Sequence, residues 1–526
     1  MTLIVVSNRL PFVLVRDDSG VERVEPGSGG LVTALQPVLR NRGGRWIGWT
    51  GATSEEPSDT PARWASSARR LIHRMRGLVG AGSVPRTPAG DPTALFAEAT
   101  RRMGYEVTPI SLSVAERDLF YYGFSNRVLW PLFHDLPSHC EFRPKYWAGY
   151  QAVNRKFADV TARYAGADDF VWVHDYQLLT MASDLRKAGV TSRLGFFLHI
   201  PFPVADLFLK LPWRLPVLRA MLAYDLLGFQ TPRDQRNFLS CVSQLIPAVR
   251  PEGDSPMATL RVDGREVRVG AFPISIDPAD FERRASEADV QEKRQKIRED
   301  AGGRQIILGI DRLDYTKGLT YKLEAFRWFL THYPEFQGNA TLIQVVVPSR
   351  EDIPEYQENK MQVERMIGEI NGQFTREGWA PIHYIYRSLD GPRLPAYYLA
   401  ADVALVTPLK DGMNLVAKEY CASRVDGGGA LVLSEFAGAA GQLQGGAYLV
   451  NPYDVEGVSE GLARALKCDE TEARRRMQEM RTAVKQADIY QWLDSILQAA
   501  IAKSLADFPL VEESLPGTSP PPGQSG

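Results

Sequence analysis

The sequence predicts a doubly wound α/β fold built on two parallel sheets. Short runs of Val, Ile, Leu and Phe recur along the chain at the length of buried strands. The later runs are separated by stretches whose apolar residues have helical spacing, such as "YKLEAFRWFLTHY", and strands that alternate with helices pair in parallel and are covered on both faces. A chain of 526 residues is too long for one core, so two or three domains are expected.

Ten apolar runs account for the predicted strands. They are, in chain order, "LIVVSNR", "DFVWVHDY", "LGFFLHIPFP", "DLLGFQT", "QIILGIDR", "TLIQVVVPS", "PIHYIYRSL", "VALVTPL", "GALVLSEF" and "AYLVNPY". In folds of this kind, ligands bind beyond the carboxyl ends of the strands. The polar residues that follow these runs are therefore the first candidates for a functional site.

The predicted boundary between the two sheets lies near Phe272–Pro278, where two prolines flank a short apolar step and a charged helix follows. This boundary divides the chain into domains at residues 1–274 and 275–485, with a cleft between them. Residues 53–108 mix Pro- and Gly-rich stretches with a basic one and carry no strand pattern, so we expect an insertion on the surface. Residues 509–526 are rich in Pro, Gly and Ser and are expected to form a disordered tail.

The composition excludes several classes of protein. With 44% hydrophobic residues, 24% charged residues and a net charge of −2, the chain has no overall bias toward nucleic acid or membrane. Its N-terminus lacks the features of a signal peptide, and no apolar stretch approaches the roughly 20 residues of a membrane helix. The four cysteines are widely spaced, which argues against a disulfide framework or a zinc site. We expect a cytoplasmic protein without a nucleic-acid or membrane partner, and a homo-oligomer is left open.

Two glycine-containing turns precede predicted helices, in "GSGGLVTALQPVL" and in "KDGMNLVAKEY". The first turn of a helix leaves N–H groups unpaired and carries a partial positive charge, and glycine lets a phosphate come close. Neither turn matches the full dinucleotide or P-loop pattern, and such turns are structural more often than not. Each is therefore open between ordinary packing and an anion site.

Four cationic residues follow predicted strands. Arg312 and Lys317 lie around the tight turn of "DRLDYTKG", Arg350 follows the next strand in "PSRED", and Arg9 ends the first strand. Charges at the tips of neighbouring strands could converge on a diphosphate; the alternative is that each is a surface residue paired with a nearby carboxylate. The chain has no Asp-x-Asp triplet of the kind that clamps a metal-bound diphosphate, so Arg, Lys and backbone amides would have to meet that charge.

Two carboxylates belong to the "KDGMNLVAKEY" stretch. Glu419 lies about two helical turns past Asp411, where it could accept both hydroxyls of a ribose; an exposed helical glutamate is the alternative. Asp175 also ends a predicted strand, and His174 and His199 follow apolar runs. These histidines show no metal-ligand spacing, so no metal site is predicted.

Ten motifs taken as a set strongly resemble the trehalose-6-phosphate synthases. They run in order from Ile4 to about Tyr453 and are "VVSNRLP", "GSGGL", "WIGWTG", "GFSNRVLWPLFH", "WVHDYQLL", "GFFLHIPFP", "LLGFQT", "RLDYTKGL", "PSRED" and "TPLKDGMNLVAKEY…LVLSEFAGAA". The family has two facing Rossmann-like domains, the GT-B architecture. The resemblance also implies a C-terminal helix, at residues 486–508, that crosses back to the N-terminal domain.

The resemblance implies a retaining transfer of glucose from UDP-glucose to glucose 6-phosphate, which gives α,α-trehalose 6-phosphate and UDP without a metal or another cofactor. One alternative is a sister synthase with another acceptor, such as a glucosylglycerol-phosphate synthase, or with another nucleotide-glucose donor. Intact "SNR", "GSGGL" and "LHIPFP" motifs favour glucose 6-phosphate. A catalytically silent, sugar-phosphate-sensing homologue is the third possibility, but the substitutions that mark such homologues are absent from the charged set.

On the donor side, the resemblance assigns Arg312 and Lys317 to the diphosphate, Leu389 to the uracil through its backbone, and Glu419 to the ribose. Backbone N–H groups of the two glycine-containing turns would help to bind the diphosphate. The complete implied donor-binding set is Gly29, Gly30, Arg312, Lys317, Leu389, Asn414, Leu415, Val416, Ala417, Lys418 and Glu419.

On the acceptor side, the resemblance assigns Arg9 and Arg350 to the phosphate of glucose 6-phosphate, and Tyr121 and Asp175 to its sugar. The motif "FYYGFSN" leaves the choice between Tyr121 and Tyr122 uncertain by one place. Two further positions are implied in selecting the α anomer, and Asp411 would bind donor glucose hydroxyls. The implied anomer-selecting residues are Trp130 and His199, and the implied catalytic set is Arg312, Lys317, Asp411, His199 and Asp175.

Overall fold

The computed structural model describes most of the chain. The described residues are 2–16, 22–26, 32, 35–36, 39–41, 43–53, 100–101, 103–252, 257–350, 353–389, 391–502, 508 and 511–513. The chain divides into two compact units: the first comprises Met1–Pro131, Ser138–Phe197 and Leu211–Asp225, and the second comprises Leu132–Pro137, Leu198–Lys210 and Leu226–Gly526.

The predicted domain limits stay predictions. The boundary proposed near Phe272–Pro278 falls inside the second compact unit. Most of the insertion proposed at 53–108 and most of the tail proposed at 509–526 lie outside the described residues.

All ten predicted strands are present, and the described residues contain seven further strands. The strands are, in chain order, β1 (Leu3–Arg9), β2 (Phe12–Arg16), β3 (Glu22–Pro26), β4 (Arg45–Thr53), β5 (Glu106–Leu112), β6 (Phe170–His174), β7 (Arg193–Phe197), β8 (Leu226–Phe229), β9 (Pro251–Glu252), β10 (Ala258–Val262), β11 (Arg265–Ala271), β12 (Gln305–Arg312), β13 (Ala340–Val347), β14 (Ile382–Tyr386), β15 (Val403–Val406), β16 (Ala430–Ser434) and β17 (Tyr448–Val450). β5 begins within the last residues of the segment that the sequence pattern leaves without strands.

Helical segments alternate with these strands. The α-helices are Val114–Arg117, Trp130–Phe133, Pro144–Ala162, Met181–Lys187, Ala205–Phe208, Arg214–Met221, Pro232–Leu245, Pro278–Ala285, Ala288–Ala301, Leu319–His332, Pro354–Phe374, Arg393–Ala400, Leu415–Ser423, Ala440–Leu443, Val455–Lys467, Glu470–Gln486 and Ile489–Ile501. Asp118–Leu129 is π-helical, and the 3₁₀ segments are Pro137–His139, Tyr176–Leu178, Tyr315–Lys317 and Pro334–Phe336. None of the helices in the described part of the chain is long and apolar enough to cross a membrane.

The first unit contains the parallel strands β5-β4-β1-β6-β7, in that order. Six of the seven residues of β1 are buried, as expected for a strand that is covered on both faces. Pro144–Ala162 is the longest helix of this unit, and it buries one stripe that includes Trp147, Tyr150 and Phe157. This spacing is that of an amphipathic helix. The carboxyl ends of β1 and β6 carry Arg9 and Asp175 toward the same edge of the sheet.

The second unit is built around a six-stranded parallel sheet in the order β14-β13-β12-β15-β16-β17. Its core consists of buried apolar residues of the central strands and of the helices Leu319–His332 and Val455–Lys467. β13 and β14 lie on one side of β12, whereas β15, β16 and β17, which follow them in the chain, lie on the other side. Such a reversal of strand order leaves a crevice at the carboxyl ends of the two strands, which is where ligands bind in sheets of this type.

The C-terminal helix Ile489–Ile501 packs on the segment around β11. Its first residue donates a backbone hydrogen bond to Ile276 O at 2.9 Å, and Trp492 Nε1 donates to Phe272 O at 3.1 Å. Arg268 Nη1 donates to the carbonyl oxygen of Ala499 at 2.7 Å. All of these residues belong to the second compact unit, and the implied crossing to the N-terminal domain stays a prediction.

Candidate active site

The tight turn after β12 brings Lys317 back to the edge of the second unit's sheet. Asp314 shapes this turn, because its Oδ1 accepts hydrogen bonds from Thr316 N at 3.0 Å and from Thr316 Oγ1 at 2.8 Å. Gly318 follows in the left-handed region, with φ 63°, and opens the next helix. The Nζ of Lys317 then lies 2.5 Å from Asp411 Oδ2, so the turn and the carboxyl end of β15 meet in one ion pair.

The loop Thr407–Met413 that follows β15 is held on several sides by backbone contacts. Leu409 N donates to Thr316 O at 2.9 Å, Asp411 N donates to Phe436 O at 3.2 Å, and Ala439 N donates to Met413 O at 2.8 Å. A Cβ on Gly412 would clash with the carbonyl oxygen of His199. The glycine in "KDGMN" is therefore needed for close packing of the loop, whether or not a ligand is bound.

Asn414 starts the helix Leu415–Ser423 and also orients Asp411. It lies in the left-handed region with φ 76°, its Oδ1 accepts from Ala417 N at 3.2 Å, and its Nδ2 donates to Asp411 Oδ2 at 3.1 Å. A helix start carries a partial positive charge. Asp411 Oδ2 thus receives two donors, Lys317 and Asn414, which fixes the orientation of the carboxylate.

The charge of Asp411 is set by its cationic neighbours. Burial alone would raise the pKa of this carboxyl, but Lys317, His134 and Arg312 lower it below the usual value. Asp411 is therefore ionised at neutral pH.

Arg350 belongs to a second buried cluster around Asp314. Its Nη1 lies 3.5 Å from Asp314 Oδ2 and donates to the hydroxyl of Tyr356, which in turn donates to Asp314 Oδ2 at 3.3 Å. Burial would raise the pKa of Asp314, but the positive charges of Arg350, Arg312, Lys317 and His134 lower it. The cations therefore surround one shared carboxylate.

The sequence left two interpretations of these cations open, an anion site or pairs with nearby carboxylates, and the structure has features of both. Lys317 and Arg350 are paired with carboxylates, as the surface alternative supposed, but the Arg350–Asp314 pair has side chains only 7% and 0% exposed. Buried cations that converge at a crevice are the arrangement expected of an anion site. Arg312 lies at the same edge and is exposed to solvent.

The helix Leu415–Ser423 places its two charged residues in different surroundings. Glu419 is half-buried rather than exposed, and its Oε2 accepts a hydrogen bond from Tyr398 OH at 2.8 Å. Burial raises the pKa of Glu419, against the opposing effects of Tyr398 and Arg284. Lys418 is buried, and its Nζ donates to Ile274 O at 2.7 Å, so its side chain is committed to that carbonyl rather than to the helix start.

Two other implied residues of the second unit lie in loops that follow strands. Leu389 is half-buried in the loop after β14. His199 follows β7 in the chain and is half-buried, and burial lowers its pKa to about 3. The imidazole of His199 is therefore neutral at physiological pH.

In the first unit, Arg9 and Tyr121 lie in one aromatic group. The guanidinium carbon of Arg9 is 4.0 Å from the ring centroid of Trp49 and 5.7 Å from that of Tyr121. A Cβ on Gly51, which has φ 95°, would clash with the guanidinium. Desolvation lowers the pKa of Arg9, while Tyr121 and Tyr122 oppose this effect. A preformed, partly desolvated cation of this kind can bind an anion strongly.

The same unit connects Tyr121 to the region of Trp130 and Asp175. Asn126 Nδ2 donates to the Tyr121 carbonyl at 2.7 Å, and its Oδ1 accepts from Tyr176 OH at 2.9 Å. The rings of Trp130 and Tyr176 lie 5.6 Å apart. Asp175 itself has φ 76°, a strained conformation for a non-glycine residue that is found preferentially at functional sites.

Tyr122 faces a different cation from Tyr121. The guanidinium carbon of Arg117 lies 5.3 Å from the Tyr122 ring centroid, whereas Tyr121 is the ring beside Arg9. Tyr121 is thus the ring placed over Arg9, although Tyr122 also influences the charge of Arg9, and the assignment of Tyr121 to the acceptor stays a prediction.

Gly29 and Gly30, which the resemblance assigns to the donor, lie outside the described residues.

Across the described part of the chain, no three His, Cys, Asp or Glu side chains come together in a way that could hold a metal ion.

The sequence interpretation missed several residues that organise the site. Asp314 had a local signal, since Asp followed two places later by Thr is typical of a turn in which the carboxylate binds backbone N–H groups. Tyr356 had none, because it meets Asp314 across 42 residues of chain. Asn126, Tyr176 and Trp49 likewise reach the site only through the fold.

In each unit, cationic side chains thus lie at the carboxyl ends of parallel strands, beside aromatic rings in the first unit and buried carboxylates in the second. Residues 1–502 match the model of Glycosyltransferase family 20, and the chain belongs to this family.

Curated relatives share nearly the whole length of the chain. The trehalose-6-phosphate synthase of Mycolicibacterium gilvum is 40% identical over 516 residues, which cover 97% of this chain and 95% of the relative. That of Mycolicibacterium vanbaalenii is 41% identical over 505 residues, covering 95% and 96%.

Solved structures are similar over the same extent. An alpha,alpha-trehalose-phosphate synthase (UDP-forming) from Burkholderia xenovorans in complex with glucose-6-phosphate has a TM-score of 0.80 and 32% identity, and covers 95% of this chain and 100% of that one. An E. coli structure, described as bound with UDP-2-fluoro glucose, has a TM-score of 0.79 and 35% identity, with 95% and 99% covered. The predicted α/β fold of GT-B type is confirmed.

Proposed function

We propose that the chain is a retaining glucosyltransferase that moves glucose from UDP-glucose to glucose 6-phosphate and releases α,α-trehalose 6-phosphate and UDP. One observation carries this proposal. Arg312, Lys317 and Arg350 lie near the start of the helix Leu415–Ser423, where the strand order of the second unit's sheet reverses. The relatives with this name and the related structures that hold glucose-6-phosphate or UDP-2-fluoro glucose support the same substrates.

The donor side follows from where charge develops. When the bond between glucose and diphosphate breaks, negative charge builds on the diphosphate and positive charge on the sugar ring. Arg312, Lys317 and the helix N–H groups would stabilise the diphosphate, and removal of one such preorganised donor commonly costs about 3–4 kcal/mol of barrier. Asp411 keeps its Oδ1 available for glucose hydroxyls because Oδ2 receives Lys317 and Asn414.

The ribose and the acceptor are assigned to other groups. Glu419 would accept the ribose hydroxyls, and Leu389 would hold the uracil through its backbone. The proposal assigns Arg9 and Arg350 to the acceptor phosphate, and Tyr121 and Asp175 to the acceptor sugar. Trp130 and a neutral His199 would select the α anomer.

The reaction needs no group on the enzyme that attacks the sugar. The C–O bond between glucose and the diphosphate breaks, a bond forms between the same carbon and the acceptor hydroxyl oxygen on the same face, and the hydroxyl proton passes to the leaving phosphate oxygen. The aspartates then position the substrates. Since Arg, Lys and backbone N–H groups supply the positive charge, we also propose that transfer requires no metal ion or cofactor. A cytoplasmic location stays part of the proposal and is testable by cell fractionation.

A panel of substrates tests the function and its nearest alternative. The purified protein is offered UDP-, ADP- or GDP-glucose with either glucose 6-phosphate or glycerol 3-phosphate, in the presence of EDTA, and nucleotide release is measured. UDP-glucose with glucose 6-phosphate should give the fastest release. Fastest release with glycerol 3-phosphate would establish a sister synthase, and no release with any pair would contradict the enzyme proposal.

A further inference from the structure

The segment Leu132–Pro137 belongs to the second compact unit, although the residues before and after it belong to the first. Its apolar anchor is Phe133, which is fully buried. The ring of Phe133 lies 5.4 Å from that of Phe202 and 6.3 Å from that of Phe208. Because the buried side chain of Phe133 anchors this short segment, the polar residues beside it are held in place.

An ion pair joins this segment to the loop after β15. Asp135 Oδ2 forms an ion pair with Lys410 Nζ at 2.6 Å. His134 is only 3% exposed, and its positive charge helps to lower the pKa of the buried Asp411, where burial is the largest and opposing effect. The segment is therefore joined by a pair of opposite charges to Lys410, the residue that precedes Asp411 in the chain.

His134 also acts on Asp314, the carboxylate shared by the cations of the other cluster. Burial would raise the pKa of Asp314, and the positive charge of His134 is one of the four that lower it. In the Asp135–Lys410 ion pair, the Lys410 side chain is 15% exposed and the Asp135 side chain is 43% exposed.

We infer that Asp135 is a positioning residue whose ion pair with Lys410, here termed the clip, holds the Lys410–Asp411 turn in the orientation needed to receive the donor glucose. The inference rests on the proposed function and adds to it a determinant from a distant part of the chain. If the clip is released, the carboxylate of Asp411 loses part of its orientation. The other acceptor groups lie in the first unit, and Arg350, the acceptor group of the second unit, contacts Asp314 and Tyr356. The effect should therefore be larger for UDP-glucose than for glucose 6-phosphate.

The test measures steady-state rates of UDP release with each substrate varied in turn. Asp135→Asn and Lys410→Gln should each raise the KM for UDP-glucose by about three- to tenfold, while the KM for glucose 6-phosphate changes by less than about twofold. Lys410→Arg keeps the charge and should behave as wild type. The charge exchange Asp135→Lys with Lys410→Asp should recover most of the loss seen in either single change.

Matched controls separate this role from a general loss of structure. Two control variants should leave both KM values unchanged. Asp184→Asn removes an exposed ion pair with Lys187. His139→Gln removes an exposed histidine of the neighbouring 3₁₀ segment. The inference is overturned if the clip variants leave the KM for UDP-glucose unchanged, if they raise both KM values equally, or if the charge exchange recovers nothing.

The same variants distinguish failure of the inference from failure of the function. UDP-glucose affinity is measured by titration calorimetry, without acceptor, on wild type and each clip variant. A wild type that turns over while the variants match it contradicts only the clip. A wild type that releases no UDP contradicts the proposed function, and the calorimetric affinities then decide the clip: weaker UDP-glucose binding in the variants supports it, and equal binding overturns it.

Discussion

At the scale of the residue, the site depends on buried charges that hold one another in place. Lys317 binds Asp411, Arg350 binds Asp314, and both carboxylates stay ionised because the surrounding cations outweigh the effect of burial. A cation held in this way does not have to be reoriented when a phosphate binds. This preorganisation is the condition for strong stabilisation of a developing charge.

Substitution of these two cations should separate the two substrates. Lys317→Ala removes a charge assigned to the diphosphate and should lower kcat/KM for UDP-glucose by about 100- to 1,000-fold. Arg350→Ala should mainly raise the KM for glucose 6-phosphate. Lys187→Ala, at an exposed lysine, is the control for loss of a positive charge, and the measurement is initial rates with each substrate varied. Reversed effects of the two variants would overturn the assignment.

Glu419 gives the site a dependence on acid pH. Burial raises the pKa of its carboxyl, so protonation begins at a higher pH than for an exposed glutamate. A protonated carboxyl is a poorer acceptor for two ribose hydroxyls, and the affinity for UDP should therefore fall as the pH drops through this raised pKa. Calorimetric titration of UDP across acid pH should show the fall in wild type, while Glu419→Gln should bind weakly with little change. The same pH dependence in both proteins would exclude Glu419 as the titrating group.

At the scale of the element, the helix Leu415–Ser423 joins the site to the rest of the second unit. Asn414 caps its start and orients Asp411, Glu419 faces Tyr398, and Lys418 reaches Ile274 O. The helix start is thus fixed by contacts with the site on one side and with the segment after β11 on the other.

Lys418 should make the stability of this element depend on alkaline pH. Burial lowers the pKa of its ammonium group to about 7, while the unfolded chain keeps the ordinary value of about 10.4. Between these values the unfolded state binds more protons, so the free energy of unfolding rises with pH, and the stabilisation is lost as the pH falls toward 7.

Chemical unfolding of wild type and Lys418→Met at pH 7 and pH 9 measures this effect. The free energy of unfolding of wild type should gain on that of the variant by about 1 kcal/mol or more between the two pH values. Lys187→Met, at an exposed lysine, should show no such gain. An equal difference between wild type and Lys418→Met at both pH values would contradict the assignment.

At the scale of the whole molecule, the sequence predicts strands better than it predicts contacts between them. The ten apolar runs are strands because buried parallel strands must be apolar on both faces. The β10–β11 hairpin was overlooked, although Asp263 and Gly264, with φ 48° and 76°, form the Asp-Gly turn that is the strongest short-range signal of a hairpin. The meeting of Asp135 with Lys410 joins residues 275 apart in the chain, and no local pattern predicts it.

The sequence likewise predicts the residues of the candidate site better than it predicts the contacts between them. The motif loops and the resemblance predicted which side chains gather at the strand ends, and the structure places Arg312, Lys317, Asp411 and Arg350 around one crevice. It also shows that Asp314 and Tyr356 hold these cations, which the loops themselves do not reveal. The roles of the individual residues stay predictions that the variants above address.

The central claim is transfer of glucose with retention to a phosphorylated acceptor, and the structure of the product tests it most directly. UDP-glucose labelled with ¹³C at the anomeric carbon is incubated with glucose 6-phosphate and the protein, and the product is analysed by NMR. We predict a labelled α,α-linked disaccharide phosphate formed in step with UDP. Free labelled glucose as the only product, a β linkage at the labelled carbon, or unchanged UDP-glucose would contradict the claim.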